Sequence, residues 1–304
     1  MTTSLVAGSP EETGQKTRAA ALSIASNSAL ILLKVAAGIV TGSIAILTEA
    51  IHSSIDLLAS VIAFFSVRKA GEPADESHPY GHEKVENVSA ALEGVLILVG
   101  AAVIVFESIR RLANPPEIDT LGIGIAVIAF SMVANLGVSA YLFRKAQLTH
   151  SPALEGDGEH LRTDALTSAG VLVGLVLVEV TGVKALDAIT ALVVAGAIVW
   201  AGLRIITQST RVLVDEALPQ DEMDAVRDAI DQYAAPEIIG FHKLRARSAG
   251  SRRYVDLHVQ FRRGTTLERA HEVSHELQGG IRDALHGADV LIHLEPEDAA
   301  KPRR

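Results

Sequence analysis

The chain has 304 residues, of which 49% are hydrophobic but only 4% aromatic, and it carries a formal net charge of −9. It contains no Cys, which excludes a disulfide framework and thiolate zinc chemistry. The acidic balance argues against a nucleic-acid partner, because phosphate binding needs a basic surface.

Charge is unevenly spread. Residues 1–209 hold 32 of the Asp, Glu, Lys and Arg, and the last 95 residues hold 31. That split predicts an apolar membrane portion followed by a water-facing domain. Residues 1–15 are acidic, lack the basic start of a secretory signal, and are predicted to be disordered. A bilayer core of about 30 Å takes about 20 mostly apolar residues in a helix. Residues 121–143 meet that need without a charge; about 19–40, 44–67, 88–109, 161–181 and 186–207 meet it with one or more ionisable groups. Their Ala and Gly suit the close packing that drives helix association in lipid. Residues 16–209 are therefore predicted to form a six-helix transmembrane domain. Ten Lys and Arg lie on the side of the termini, against Arg110, Arg111 and Lys184 on the other, which predicts cytoplasmic termini. Arg110 and Arg111 run against that rule. Lys34, inside the first span, is predicted to snorkel toward an interface.

From about 215 the pattern changes. Residues 220–234 and 266–285 have helical spacing, whereas Tyr254–Phe261 alternates in the strand period; 244–247 and 290–295 are shorter strand candidates. The order αββαβ predicts a small α+β domain over 210–298, with a tail at 299–304.

The ionisable residues within the spans carry the chemistry. The second span contains His52 and Asp56, and the fifth begins with His160 and Asp164; each pair is four residues apart and so shares one helical face. Burying such groups in lipid costs about 2.5–3.5 kcal/mol apiece even on lenient scales. Two imidazoles and two carboxylates make a four-coordinate nitrogen and oxygen site, and a divalent cation cancels the carboxylate charge. Each pair read alone is equally a buried hydrogen bond or a headgroup-level helix start. After the second span, Asp75, His78 and His82 are close enough to converge on one ion. Six of the eleven His lie in the tail, where His293 and Glu295 face one way along a strand, His258 points to the polar face of its own strand and His242 precedes another. His271-Glu-Val-Ser-His275 matches a zinc-protease pattern, but in a domain too small to add a substrate cleft. No enzyme activity is expected. His150 and His286 read as surface residues.

HSSID on the second span, HPYGHEKVE after it, HLRTD on the fifth and the His-bearing tail resemble the cation diffusion facilitator family, particularly its bacterial zinc-transporting members. The resemblance implies a transport site at His52, Asp56, His160 and Asp164, and a loop site at Asp75, His78 and His82. It further implies a two-ion tail site at His242, His258, His271, His293 and Glu295. A metallochaperone-like tail that joins two copies in a homodimer follows from it too, as does a helix-locking pair of Lys84 and Asp215, in a bacterial inner membrane. Many bacterial members carry Asp where this chain has His52, and Asp where it has Glu295. The expected function is Zn²⁺ efflux in exchange for protons. Fe²⁺, Mn²⁺, Cd²⁺ or Co²⁺ export on the same architecture, and a metal-sensing membrane scaffold that transports nothing, are the alternatives.

Overall fold

The computed structural model describes residues 10–41, 44–113, 122–183, 185–285 and 287–297; the side chains of 10, 41, 44–49, 51, 52, 55, 122–124 and 175 lie outside this description. His286 lies outside it altogether. The chain divides into two compact units, Met1–Thr210 and Arg211–Arg304.

The first unit is built from α1 (Pro10–Thr41), α2 (Ile44–Ala70), α3 (Lys84–Ala113), α4 (Gly122–Thr149), α5 (Pro152–Thr181) and α6 (Ala185–Leu213). Five of these helices, all but α2, are long and apolar enough among the described residues to cross a membrane. Each helix runs past the apolar stretch that reveals it. α1 already starts at Pro10, inside the stretch expected to be disordered.

Contacts at the helix ends show that the helices alternate in direction. Lys16 near the start of α1 donates to Glu86 at the start of α3, and Ser151, the N-cap of α5, also donates to Glu86. Lys145 near the end of α4 donates to Gln15, and Ser66 near the end of α2 donates to the Val85 carbonyl. This end of the bundle is the near face and the opposite end the far face. On the near side a core of Ala19, Ala20, Val67, Leu142, Ala146, Ala153, Leu154 and Leu161 is closed. α3 and α6 approach through Gly94 and Gly202. A Cβ on Gly94 would stand 3.1 Å from the Gly202 carbonyl oxygen, and the reverse contact is also 3.1 Å. Small residues permit such backbone contact where apolar burial supplies no force.

The second unit holds α7 (Gln220–Gln232), β1 (Ile238–Ala249), β2 (Arg252–Phe261), α8 (Leu267–Ala284) and β3 (Asp289–Pro296), the αββαβ order read from the sequence. β1 pairs antiparallel and β3 parallel to the central β2. Val255, Leu257, Val259 and Phe261 point into a core shared with Val226 and Ile230 of α7 and Val273, Leu277 and Ile281 of α8. Period-two alternation therefore leaves the even-numbered residues of β2 on the other face.

Candidate metal centres

Three groups of donors converge among the described residues: Asp56, His160 and Asp164; Asp75, His78 and His82; and His242, His258 and Glu295. In each group one ligand atom per residue lies within 4.8 Å of every other.

The first group bridges α2 and α5. Pro152 and the Ser151 cap start α5 two turns before His160, so His160 and Asp164 sit well inside the helix rather than at its start. His160 Nε2 is 3.2 Å from Asp56 Oδ1 and 4.0 Å from Asp164 Oδ2. All three lie deep in the bundle, with His160 and Asp56 buried and Asp164 half-buried. His52 belongs to α2, one turn before Asp56, but its side chain and that of Glu49 lie outside the described residues. Tethered cation and neutral donors surround the group: Lys34 is buried and donates to Ser53 at 2.7 Å. Lys34 thus does not snorkel to an interface. A hydroxyl one turn from Asp56 satisfies its ammonium inside the bundle.

In the loop, Asp75 Oδ1 accepts from the Ser77 hydroxyl and from the backbone N–H groups of Ser77 and His78. These bonds, the Ser77 hydroxyl foremost, hold its carboxyl well below the usual range, so it is anionic at any physiological pH. His78 Nδ1 lies 3.2 Å from Asp75 Oδ1 and His82 Nε2 lies 3.3 Å from Asp75 Oδ2. His82 is buried, and neither of its ring nitrogens makes a well-aligned hydrogen bond among the described residues.

Strand register builds the third group. His242 pairs with His258, and His258 with His293, so three imidazoles form a row across the polar face of the sheet. Glu295, two residues beyond His293, returns to that row: His258 Nδ1 donates to its Oε1 at 2.6 Å, and His242 Nε2 is 3.2 Å from its Oε2. His293 is more peripheral, 4.0 Å from Glu295 and ring-stacked on His258 at 4.6 Å. The His258 hydrogen bond, ahead of the charges of His242 and His258, holds the Glu295 carboxyl below its ordinary value. His271 is not in this group. It projects from the exposed side of α8 with its Nε2 3.2 Å from that of His275. Within one chain the sheet face and α8 do not bring His271 to Glu295.

A family model for the cation efflux transmembrane domain matches residues 20–214, and one for the cytoplasmic domain of cation efflux proteins matches 218–297. An uncharacterised transporter of Synechocystis sp. is 34% identical over 93% of this chain and 91% of its own. The cation-efflux pump FieF of Yersinia pestis is 34% identical over 92% of each. The chain belongs to the cation diffusion facilitator family. A solved structure of CzrB, a putative zinc transporter in its Zn form, is 32% identical over 29% of this chain and 99% of that one. Its TM-score of 0.27 adds nothing to the fold.

This cation diffusion facilitator is accordingly a multi-pass membrane protein and not an enzyme. In its HEVSH segment both His are exposed on α8, and Arg269 donates to Glu272 at 3.3 Å. Lys84 opens α3 in the first unit, while Asp215 in the second takes a hydrogen bond from Arg247 at 2.9 Å. His150 is exposed, with φ 46°, at the turn between α4 and α5.

Sequence reasoning missed the polar residues packed around the first group. Asp157 is fully buried and accepts from Ser60 at 2.9 Å, and Glu93 is fully buried against Gly156. Asp157 lies one turn before His160 on α5, a spacing that could have revealed it. On the far side, Asp56 and Asp164 line a cavity of about 370 Å³ that also reaches Ser131, Asn135, Glu107, Arg111 and Asp187. Nothing in the primary sequence joins those five helices at one void.

Proposed function

We propose that this cation diffusion facilitator exports Zn²⁺ from the cytoplasm in exchange for protons, through a site made by His52, Asp56, His160 and Asp164. The observation that carries the reading is the convergence of Asp56, His160 and Asp164 from two helices inside the bundle. Imidazole and carboxylate together suit a borderline cation such as Zn²⁺, and two carboxylates balance its charge. A histidine must lose its proton to bind the metal, so loading releases protons and protonation releases metal. Rocking of the helices then exposes the site to either side in turn. The loop and tail groups bind further ions, and the tail site, occupied, steadies a homodimer formed through the second unit. Both termini face the cytoplasm in a bacterial inner membrane.

The test is zinc uptake into proteoliposomes with and without an imposed pH gradient. Asp56→Ala and Asp164→Ala each reduce uptake to the protein-free level while the chain still folds. Uptake that survives either substitution rejects the site. Flux indifferent to the gradient rejects the exchange. A binding scaffold shows metal bound to the tail and no flux in the parent chain. Competition by Fe²⁺, Mn²⁺, Cd²⁺ and Co²⁺ ranks the cargo.

A further inference from the structure

The cavity beside Asp56 and Asp164 runs toward the far face and ends at charged residues. Arg111, in the last turn of α3, extends to Asp187 in the first turn of α6, with Nη1 3.2 Å from Oδ2. The same guanidinium lies 3.4 Å from Glu107, which Arg110 also contacts at 3.4 Å. Asp187 lies close to α5 at Gly174, where a Cβ would stand 2.8 Å from its Oδ1. Between this rim and the first donor group, Ser131 Oγ and Asn135 Oδ1 are buried, line the cavity and have no hydrogen-bond partner among the described residues. Buried oxygens of this kind need water or a cation. The void is therefore a passage lined by polar side chains, Lys34 among them, and by apolar ones such as Val103 and Val171, and among the described residues it ends at Glu107, Asp187 and Arg111.

Two carboxylates at the mouth of such a passage form a trap for divalent cations unless another charge occupies them. A guanidinium is permanently charged and matches carboxylate oxygens in a fixed fork. We propose that Arg111 is a positioning residue for release: it occupies Asp187 and Glu107, so that an ion leaving Asp56 and Asp164 crosses the rim without being held there. This inference rests on the reading of Asp56, His160 and Asp164 as the transport site. It also gives a reason for Arg111 at an end of the bundle where the sequence places few basic residues.

Loss of Arg111 exposes an all-oxygen site, which suits hard cations, whereas the imidazole-bearing transport site does not. The experiment is zinc flux in proteoliposomes with millimolar Ca²⁺ on the far side. Parent flux is unchanged by Ca²⁺, Arg111→Gln flux falls at least several-fold, and Arg111→Gln with Asp187→Asn recovers. Because the chain has no Cys, Arg111→Cys offers a single thiol. Its flux is Ca²⁺-sensitive after a neutral thiol reagent and insensitive after a cationic one, a contrast that a purely structural role does not produce. Arg111→Gln flux indifferent to Ca²⁺ overturns the proposal, as does equal sensitivity after both reagents. Asp56→Ala is run in parallel. If it transports normally, the transport-site reading fails, while the Ca²⁺ response of the Arg111 variants still reads the rim.

Discussion

Glu295 shows how one side chain couples protonation to the shape of a site. Its two oxygens face His258 and His242, and its carboxyl sits below its ordinary value near 4.5. A carboxyl depressed by folding stabilises the folded tail at pH values above its unfolded pKa, and that contribution is lost as pH falls through the lower folded value. Glu295→Gln removes this dependence. In the metal-free unit of residues 211–304, stability measured by circular dichroism then varies less steeply with pH below about 4.5 than in the parent. The same substitution takes away a proposed ligand, and if the tail binds zinc as proposed its affinity falls by at least about 10–100-fold, the range for losing even an outer-shell partner. A second residue-scale case is Glu237, held low chiefly by the hydrogen bond from Arg269 Nε at 2.9 Å. Glu237→Gln shifts acid unfolding in the same direction without touching metal binding, which separates the two effects.

At the scale of elements, packing decides what each segment tolerates. Gly94 and Gly202 let the backbones of α3 and α6 meet, so Gly202→Leu has no room to be absorbed by rotamer change. Overpacking of this kind costs about 1–3 kcal/mol, and thermal unfolding in detergent falls by several degrees. Gly100 and Gly196, with open space where a Cβ would lie, tolerate Ala and serve as controls. In the second unit, Leu277 of α8 is fully buried among strand and helix side chains. Leu277→Ala there removes about 2–5 kcal/mol. A domain of this size has about 5–15 kcal/mol in all, so the denaturant midpoint of the tail drops sharply while the membrane unit keeps its own. Element boundaries also explain why the apolar stretches understate the helices. Hydropathy falls at Arg68 and Lys69, yet α2 continues to Ala70 because long basic side chains remain compatible with a helix end.

For the whole molecule, the predictions concern orientation and assembly. The proposed cytoplasmic termini, which rest on ten basic residues against three, predict that a fluorescent protein fused after Arg304 matures, whereas a periplasmic phosphatase fused there is inactive. Zinc raises the dimer fraction of the intact protein in light scattering, and His258→Ala abolishes that response while leaving the unit folded. A partner chain also offers the route by which His271, which faces away from the sheet cluster of its own chain, would reach a tail ion. If His271→Ala leaves the zinc-dependent dimer unchanged, His271 belongs to the α8 pair with His275 alone.

The apolar helical stretches, the His and Asp pairs at helical spacing, and the αββαβ order were all legible in the primary sequence. Each is a local property: a bilayer imposes a length, a helix repeats every 3.6 residues, and a strand alternates. The row of His242, His258 and His293 was half legible. Alternation predicted the face, but pairing register aligned the three strands. Tertiary structure alone decided that α2 and α5 bring Asp56 to His160, that Lys34 stays inside on Ser53, and that Arg111 meets Asp187 across 76 residues of chain. Those contacts depend on which helices pack together and how closely small residues let them approach, and that is a sum over many neighbours that no local window contains.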